Sequence, residues 1–240
     1  MKDKTSLAPL VKEALSRSKV RVQSLRLPDG RLFWLKRVER LSGRMRLQKG
    51  DPSKAFEAER EGLDYLTSKG MPVPEIAMEG EDFFVLPDAG PTLIEVVDQK
   101  SDATPAFTDA GKSLALLHWA GLVHGRPAVR DICWDGTTAR FIDLERFSKA
   151  RRSGFWQAMD ILIFSHSADV QWADDPRWVE AALQAYAQNA PDGAMRRARH
   201  LAWGLIWLSA LAWLLLKLKP KSRDIRAYRL TLKRLRGWKD

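Results

Sequence analysis

An Asp-Gly pair stands twice in this chain between short runs of mixed apolar and polar residues, at Asp29-Gly30 and at Asp135-Gly136. Each predicts a tight antiparallel hairpin, because Asp and Gly supply the positive-φ positions that such a turn requires. The first pair joins VRVQSLRL to LFWLKRVE and puts Lys36 on the second strand. The second joins Asp131-Ile-Cys-Trp to Ala-Arg-Phe-Ile-Asp143. Antiparallel pairing sets the start of one strand beside the end of the other. Asp131 and Asp143 are therefore expected at the same open end, with Glu145 close behind. Two carboxylates so placed repel unless a cation lies between them, and hard oxygen ligands suit Mg²⁺ carrying a phosphate substrate. Either Asp taken singly also reads as a turn cap or as the partner of a nearby arginine.

Around these hairpins the pattern changes from strands to helices. Ser53 to Ser68 carries Phe56, Leu63 and Leu66 at helical spacing, with a Ser as N-cap and Gly70 past the end, and holds Glu59. MPVPEIAMEG and EDFFVLPDAG predict an extended segment, a turn and a short apolar strand, with a boundary near Leu86 to Gly90. Thr104-Pro105 reads as a cap followed by a proline at the first helical position. It opens a helix that carries Leu114, Leu117 and His118 and stops at Gly121. With 240 residues, 45% of them apolar, the chain buries a core as one large domain or as two small lobes sharing a cleft.

The formal charge of +10 is concentrated at one end: residues 217–240 hold ten Lys or Arg against two Asp. Charge alone suits an anionic membrane surface or nucleic acid equally. Ile225, Tyr228, Leu232 and Leu235 recur at helical spacing there, which predicts a basic amphipathic helix on a lipid surface or one packed on the domain. No nucleic-acid reading motif accompanies it. Just before it, residues 201–216 form an uncharged run with Trp203, Trp207 and Trp213, too short to span a bilayer and suited to a buried or an interfacial helix. A single cysteine, Cys133, excludes a disulfide framework, and the N-terminal residues lack an apolar stretch of signal-peptide length. A cytoplasmic protein is expected.

The string Leu117-His118-Trp-Ala-Gly121-Leu-Val-His124-Gly125, then Asp131, then Phe141-Ile142-Asp143 resembles the catalytic segment of small atypical kinases. The likeness is greatest to the bacterial Kdo and lipopolysaccharide core-sugar kinases and to RIO-like kinases, and it covers roughly residues 20 to 190. It implies an α+β, bilobal protein-kinase-like fold: a β-rich N-lobe over 1–88, a mainly helical C-lobe over 89–216, and a basic tail over 217–240. It implies ATP and Mg²⁺ as cofactors. Lys36 then holds phosphates with Glu59 as its helix partner, and Leu86 lies in the adenine-binding hinge. His124 is the structural histidine of the loop, Asp131 and Asp143 bind metal, and Asp160 holds the loop from below.

Two departures from the pattern bear on activity. Arg126 stands where the catalytic Asp is expected, and an arginine stays protonated and cannot act as a base, though it can clamp a phosphate. No glycine-rich loop precedes Lys36, since Gly30 belongs to the hairpin turn. The resemblance implies an ATP-dependent transferase acting on a sugar hydroxyl of a membrane glycolipid, peripheral on the inner face of the cytoplasmic membrane. A serine/threonine protein kinase and a nucleotide-binding pseudokinase scaffold are the alternatives.

Overall fold

The sheet is ordered from its first turn. The computed structural model describes residues 2–38, 52–99, 102–207 and 222–239. Strands β1 (Val22–Arg26) and β2 (Leu32–Arg37) form the antiparallel ribbon that Asp29-Gly30 predicts. Gly30 takes a left-handed φ of 89°, and the Asp29 carboxylate accepts the Arg31 amide at 3.0 Å. Strand β2 also pairs with β4 (Phe83–Pro87), which pairs with β3 (Met78–Gly80), giving the order β1-β2-β4-β3, antiparallel throughout.

Two helices complete this unit. The sequence reading contains no counterpart of the first, α1 (Lys2–Arg17). Leu7 and Val11 are buried among Leu25, Leu27, Phe33, Leu35 and Val85, and Leu10, Ala14 and Leu15 pack beside them. Pro9 lies inside this helix, where it costs about 3 kcal/mol. Full burial of each Leu or Val returns roughly 1.5–3 kcal/mol, so the stripe outweighs the proline. The second helix, α2 (Pro52–Ser68), buries Leu63 and Leu66, and Phe56 stacks on Phe84 of β4 at 5.0 Å.

The remainder is mainly helical, as expected for the α+β class. Helices α3 (Leu93–Gln99) and α4 (Thr104–Trp119) precede the second hairpin, β5 (Ile132–Trp134) and β6 (Ala139–Phe141). Then follow α5 (Gly154–Gln171), α6 (Arg177–Asn189), α7 (Ala194–Gly204) and α8 (Arg223–Arg236). Hairpin and helix are joined by polar contacts: Ser113 Oγ donates to the Ala139 carbonyl at 2.7 Å, and Trp134 Nε1 to Asp109 at 3.0 Å.

Contacts divide the chain into two compact units, residues 1–89 with 143–146, and residues 90–142 with 147–240. The C-terminal helix α8 groups with the helical unit. Ala227, Leu232 and Leu235 are buried where it packs on α5 and α7, so of the two alternatives for the apolar stripe, lipid surface or domain, it lies against protein. The uncharged run divides at the end of α7, after which 205–207 form a turn. Its residues 208–216 lie outside the described residues. Among the described residues no helix is long and apolar enough to cross a membrane.

The α4–α6 contact is set by Gly111, where an added Cβ would lie 2.1 Å from the Ala182 carbonyl oxygen. Gly111→Ala must push the helices apart, and a loss of about 1–3 kcal/mol is expected in urea unfolding. An unchanged midpoint would contradict this packing.

Candidate functional site

Lys36 reaches the site from the pleat of β2, whose register opposes it to Phe84. Its ammonium lies 2.5 Å from Glu59 Oε1 of α2. The Glu59 side chain is 2% exposed and that of Lys36 17%, so the pair is held largely out of water. The helical register explains the meeting: Phe56, Leu63 and Leu66 face the core, and Glu59, one turn after Phe56, is carried to the same side.

Residues 143–146 belong to this unit although their sequence neighbours do not. Carboxylate oxygens of Glu59, Asp143 and Glu145 all lie within 4.8 Å of one another. Arg21 of the segment preceding β1 forms an ion pair with Glu145. Burial raises the Glu59 carboxyl above its ordinary value near 4.5, the charge and hydrogen bond of Lys36 oppose the rise, and the charges of Asp143 and Glu145 add to it. Three clustered hard oxygen donors fit a divalent cation such as Mg²⁺, which would relieve that repulsion. Asp143 has a left-handed φ of 59°, the only positive φ at a non-glycine among the described residues. Such a conformation costs of order 1–3 kcal/mol and persists only where the surroundings impose it.

The helical unit holds the loop from His124 to Asp131. Asp160, buried in α5, accepts the amides of His124 at 2.7 Å and Gly125 at 2.9 Å, and lies 3.4 Å from His118 Nε2. His118 Nδ1 is 2.7 Å from the Tyr186 hydroxyl, which burial pushes beyond the ordinary phenol range. The Arg126 amide donates to His124 Nδ1 at 3.2 Å, which leaves Nε2–H to donate to the Ile142 carbonyl at 3.1 Å. The His124 tautomer is thereby fixed.

Asp131 is buried, and its carbonyl accepts the Ile142 amide at 2.9 Å, extending the hairpin by one residue. Its carboxylate lies 3.7 Å from the Arg126 guanidinium and 3.6 Å from that of Arg130. At the hairpin tip, Asp135 is held well below the usual carboxylate range. Burial opposes this, but hydrogen bonds from Arg140, from Thr137 and from the amides of Thr137 and Thr138 prevail. Cys133 is buried in β5.

The sequence-expected residues thus fall into two groups. Lys36, Glu59 and Asp143 come together in one unit; Arg126, His124 and Asp131 come together in the other. Leu86 is buried in β4 opposite Trp34. Arg21 and Glu145 are not among the site residues expected from the sequence. Glu145 reaches the cluster through the left-handed backbone at Asp143, which residue spacing does not reveal.

No family model matches the chain. A Haemophilus influenzae protein, described as uncharacterized, is 32% identical over 211 residues, spanning 84% of this chain and 85% of that one. The chain belongs to that protein's family. Among solved structures, the bifunctional kinase-methyltransferase WbdD, in a co-crystal structure with a kinase inhibitor, aligns over 79% of this chain with 12% identity and a TM-score of 0.47. The chain spans about half the length of the WbdD chain, 48%. Macrolide 2′-phosphotransferase MphH from Brachybacterium faecium aligns over 91% of this chain and 89% of its own, with 15% identity and a TM-score of 0.45.

The ion pair has a pH signature. An acid whose folded pKa exceeds its unfolded value keeps its proton longer in the folded state, so stability falls as pH rises through the window above 4.5. Lys36→Met removes the opposing charge and widens that window. Urea unfolding of the variant is expected to show a loss of about 3 kcal/mol at pH 8 and a much smaller loss at pH 5. Equal losses at both pH values would contradict the assignment.

Proposed function

We propose that the chain is an ATP- and Mg²⁺-dependent phosphotransferase. The observation that carries this reading is the Lys36–Glu59 pair in one cluster with Asp143 and Glu145. Phosphoryl transfer needs a positive charge on the phosphates and a carboxylate-held metal, and it depends mostly on positioning and electrostatics. Bound Mg-ATP supplies the group transferred. Lys36 directs a point charge at phosphate oxygens, and Glu59 fixes its direction. Asp143 and Glu145 offer hard oxygens to the metal, and Asp131 is the further ligand that the resemblance implies. Backbone groups near Leu86 receive the base. His124, fixed in one tautomer, braces the loop, and Arg126 clamps the acceptor or a phosphate.

The acceptor we infer is a sugar hydroxyl of a membrane glycolipid, met at the cytoplasmic face of the membrane. It rests on the resemblance of the His124–Asp143 segment to the lipopolysaccharide core-sugar kinases. A nucleotide-binding scaffold is the second reading, favoured by one observation: the residue at the position of the catalytic Asp, Arg126, is a cation paired with Asp131.

Thermal unfolding with Mg-ATP tests the reading. At a hundredfold excess over Kd a ligand adds about 2.7 kcal/mol, a rise of roughly 5 °C or more for a chain of this size. The shift is expected to need Mg²⁺ and to vanish in Asp143→Ala. No shift in the wild type rejects nucleotide use altogether. A shift with ATP turnover that Arg126→Ala abolishes rejects the scaffold, and a shift without turnover on any glycolipid acceptor supports it.

A further inference from the structure

The apolar stripe of α8 is used inside the protein, and what it turns outward is charge. Asp169 of α5 locks the helix in place: Thr231 Oγ1 donates to it at 2.6 Å, and Arg234 reaches both of its oxygens at 2.6 Å. At 100° per residue, Arg226, Arg229, Lys233 and Arg236 fall within an arc of about 80° on the side opposite the buried residues. Arg226, Arg229 and Lys233 are exposed, and no acidic residue of the helix shares that arc.

The edge of this cationic face is aromatic. The Arg236 guanidinium lies over the Trp203 ring, 5.0 Å from its centroid, and Tyr228 donates to the Leu205 carbonyl at 2.9 Å. These contacts fix the end of α7 beside the cationic arc. There Trp203 is 54% exposed, Trp207 68% and Ile206 37%. Helix α7 contains three arginines, a histidine and no acid. Two tryptophans and an isoleucine turned to solvent, with a cation over one of the rings, combine the two features of a surface that meets lipid headgroups.

We propose that this face docks on an anionic lipid bilayer, with the cations of α8 over the headgroups and Trp203, Ile206 and Trp207 seated at the headgroup boundary. The helix stays folded on its unit, so attachment is by a preformed surface and no apolar stripe inserts. Nucleic acid would also meet the cations, but the exposed Ile206 offers a base neither stacking nor hydrogen bonding. The inference deepens the membrane part of the reading above and does not depend on nucleotide use.

The test is sedimentation of the full chain with phosphatidylcholine vesicles, with and without 30% (about) phosphatidylglycerol, at low salt. The wild type is expected to pellet with the anionic vesicles alone and to be released as salt rises. Arg229→Gln with Lys233→Gln removes two outward cations and should weaken binding roughly 25-fold, at about fivefold each. Trp207→Ser should weaken it severalfold while leaving the thermal midpoint unchanged. Because Trp207 is exposed, this variant keeps the test open if the double variant fails to fold. Equal pelleting with neutral vesicles, or full binding by Trp207→Ser, would overturn the proposal. So would retention of single-stranded RNA at a salt where vesicles are not bound, which assigns the face to nucleic acid. Because the assay reads lipid binding alone, its failure and that of the Mg-ATP titration are distinguishable.

Discussion

The arrangement depends on one partly water-excluded ion pair, Lys36 with Glu59. Removing two such charges from water costs several kcal/mol per ion before their attraction is counted, and a well-packed apolar pair would stabilise the same contact at least as well. Stability therefore does not account for it. What the pair fixes is direction: a strand lysine and a helix glutamate hold each other beside two further carboxylates. Lys36 pairs with Glu59 of that cluster and Arg21 with Glu145. Burial raises the Glu59 carboxyl, the charge of Lys36 opposes the rise, and the charges of Asp143 and Glu145 add to it.

The two units bring their parts by different means. In one, the sheet and α2 present Lys36 and Glu59 on rigid elements, and the left-handed turn at Asp143 brings the acidic segment in. In the other, Asp160 gathers the amides of His124 and Gly125 under one buried carboxylate, and α4, α5 and α6 hold that carboxylate in place. Two backbone amides on one buried carboxylate satisfy groups that would otherwise be left unpaired, so the loop conformation is set by hydrogen bonding as much as by packing.

Local signals were the legible ones. Asp29-Gly30 and Asp135-Gly136 announce their turns because the conformation each needs is cheap only for a few residue types. The strand of Lys36 and the helix of Glu59 follow from the turn signal and from periodicity, whereas the α+β class is what the resemblance to small atypical kinases implies. Three features were not legible. Helix α1 is obscured by Pro9, whose local cost is overcome by burial against strands that lie later in the chain. Glu145 joins the acidic cluster after a backbone conformation at Asp143 that nothing in its residue type dictates. The stripe of α8 was visible, but an amphipathic helix carries no mark of whether protein or lipid covers it, and here the covering is supplied by α5 and α7.

The most direct test of the central claim is a titration of Mn²⁺, as a paramagnetic stand-in for Mg²⁺, followed by electron paramagnetic resonance with ATP present. If Glu59, Asp143 and Glu145 form a cation site beside Lys36, the wild type binds Mn²⁺ saturably. Asp143→Asn and Glu145→Gln should each bind it at least about tenfold more weakly while remaining folded. Identical isotherms for the wild type and Asp143→Asn would contradict the account.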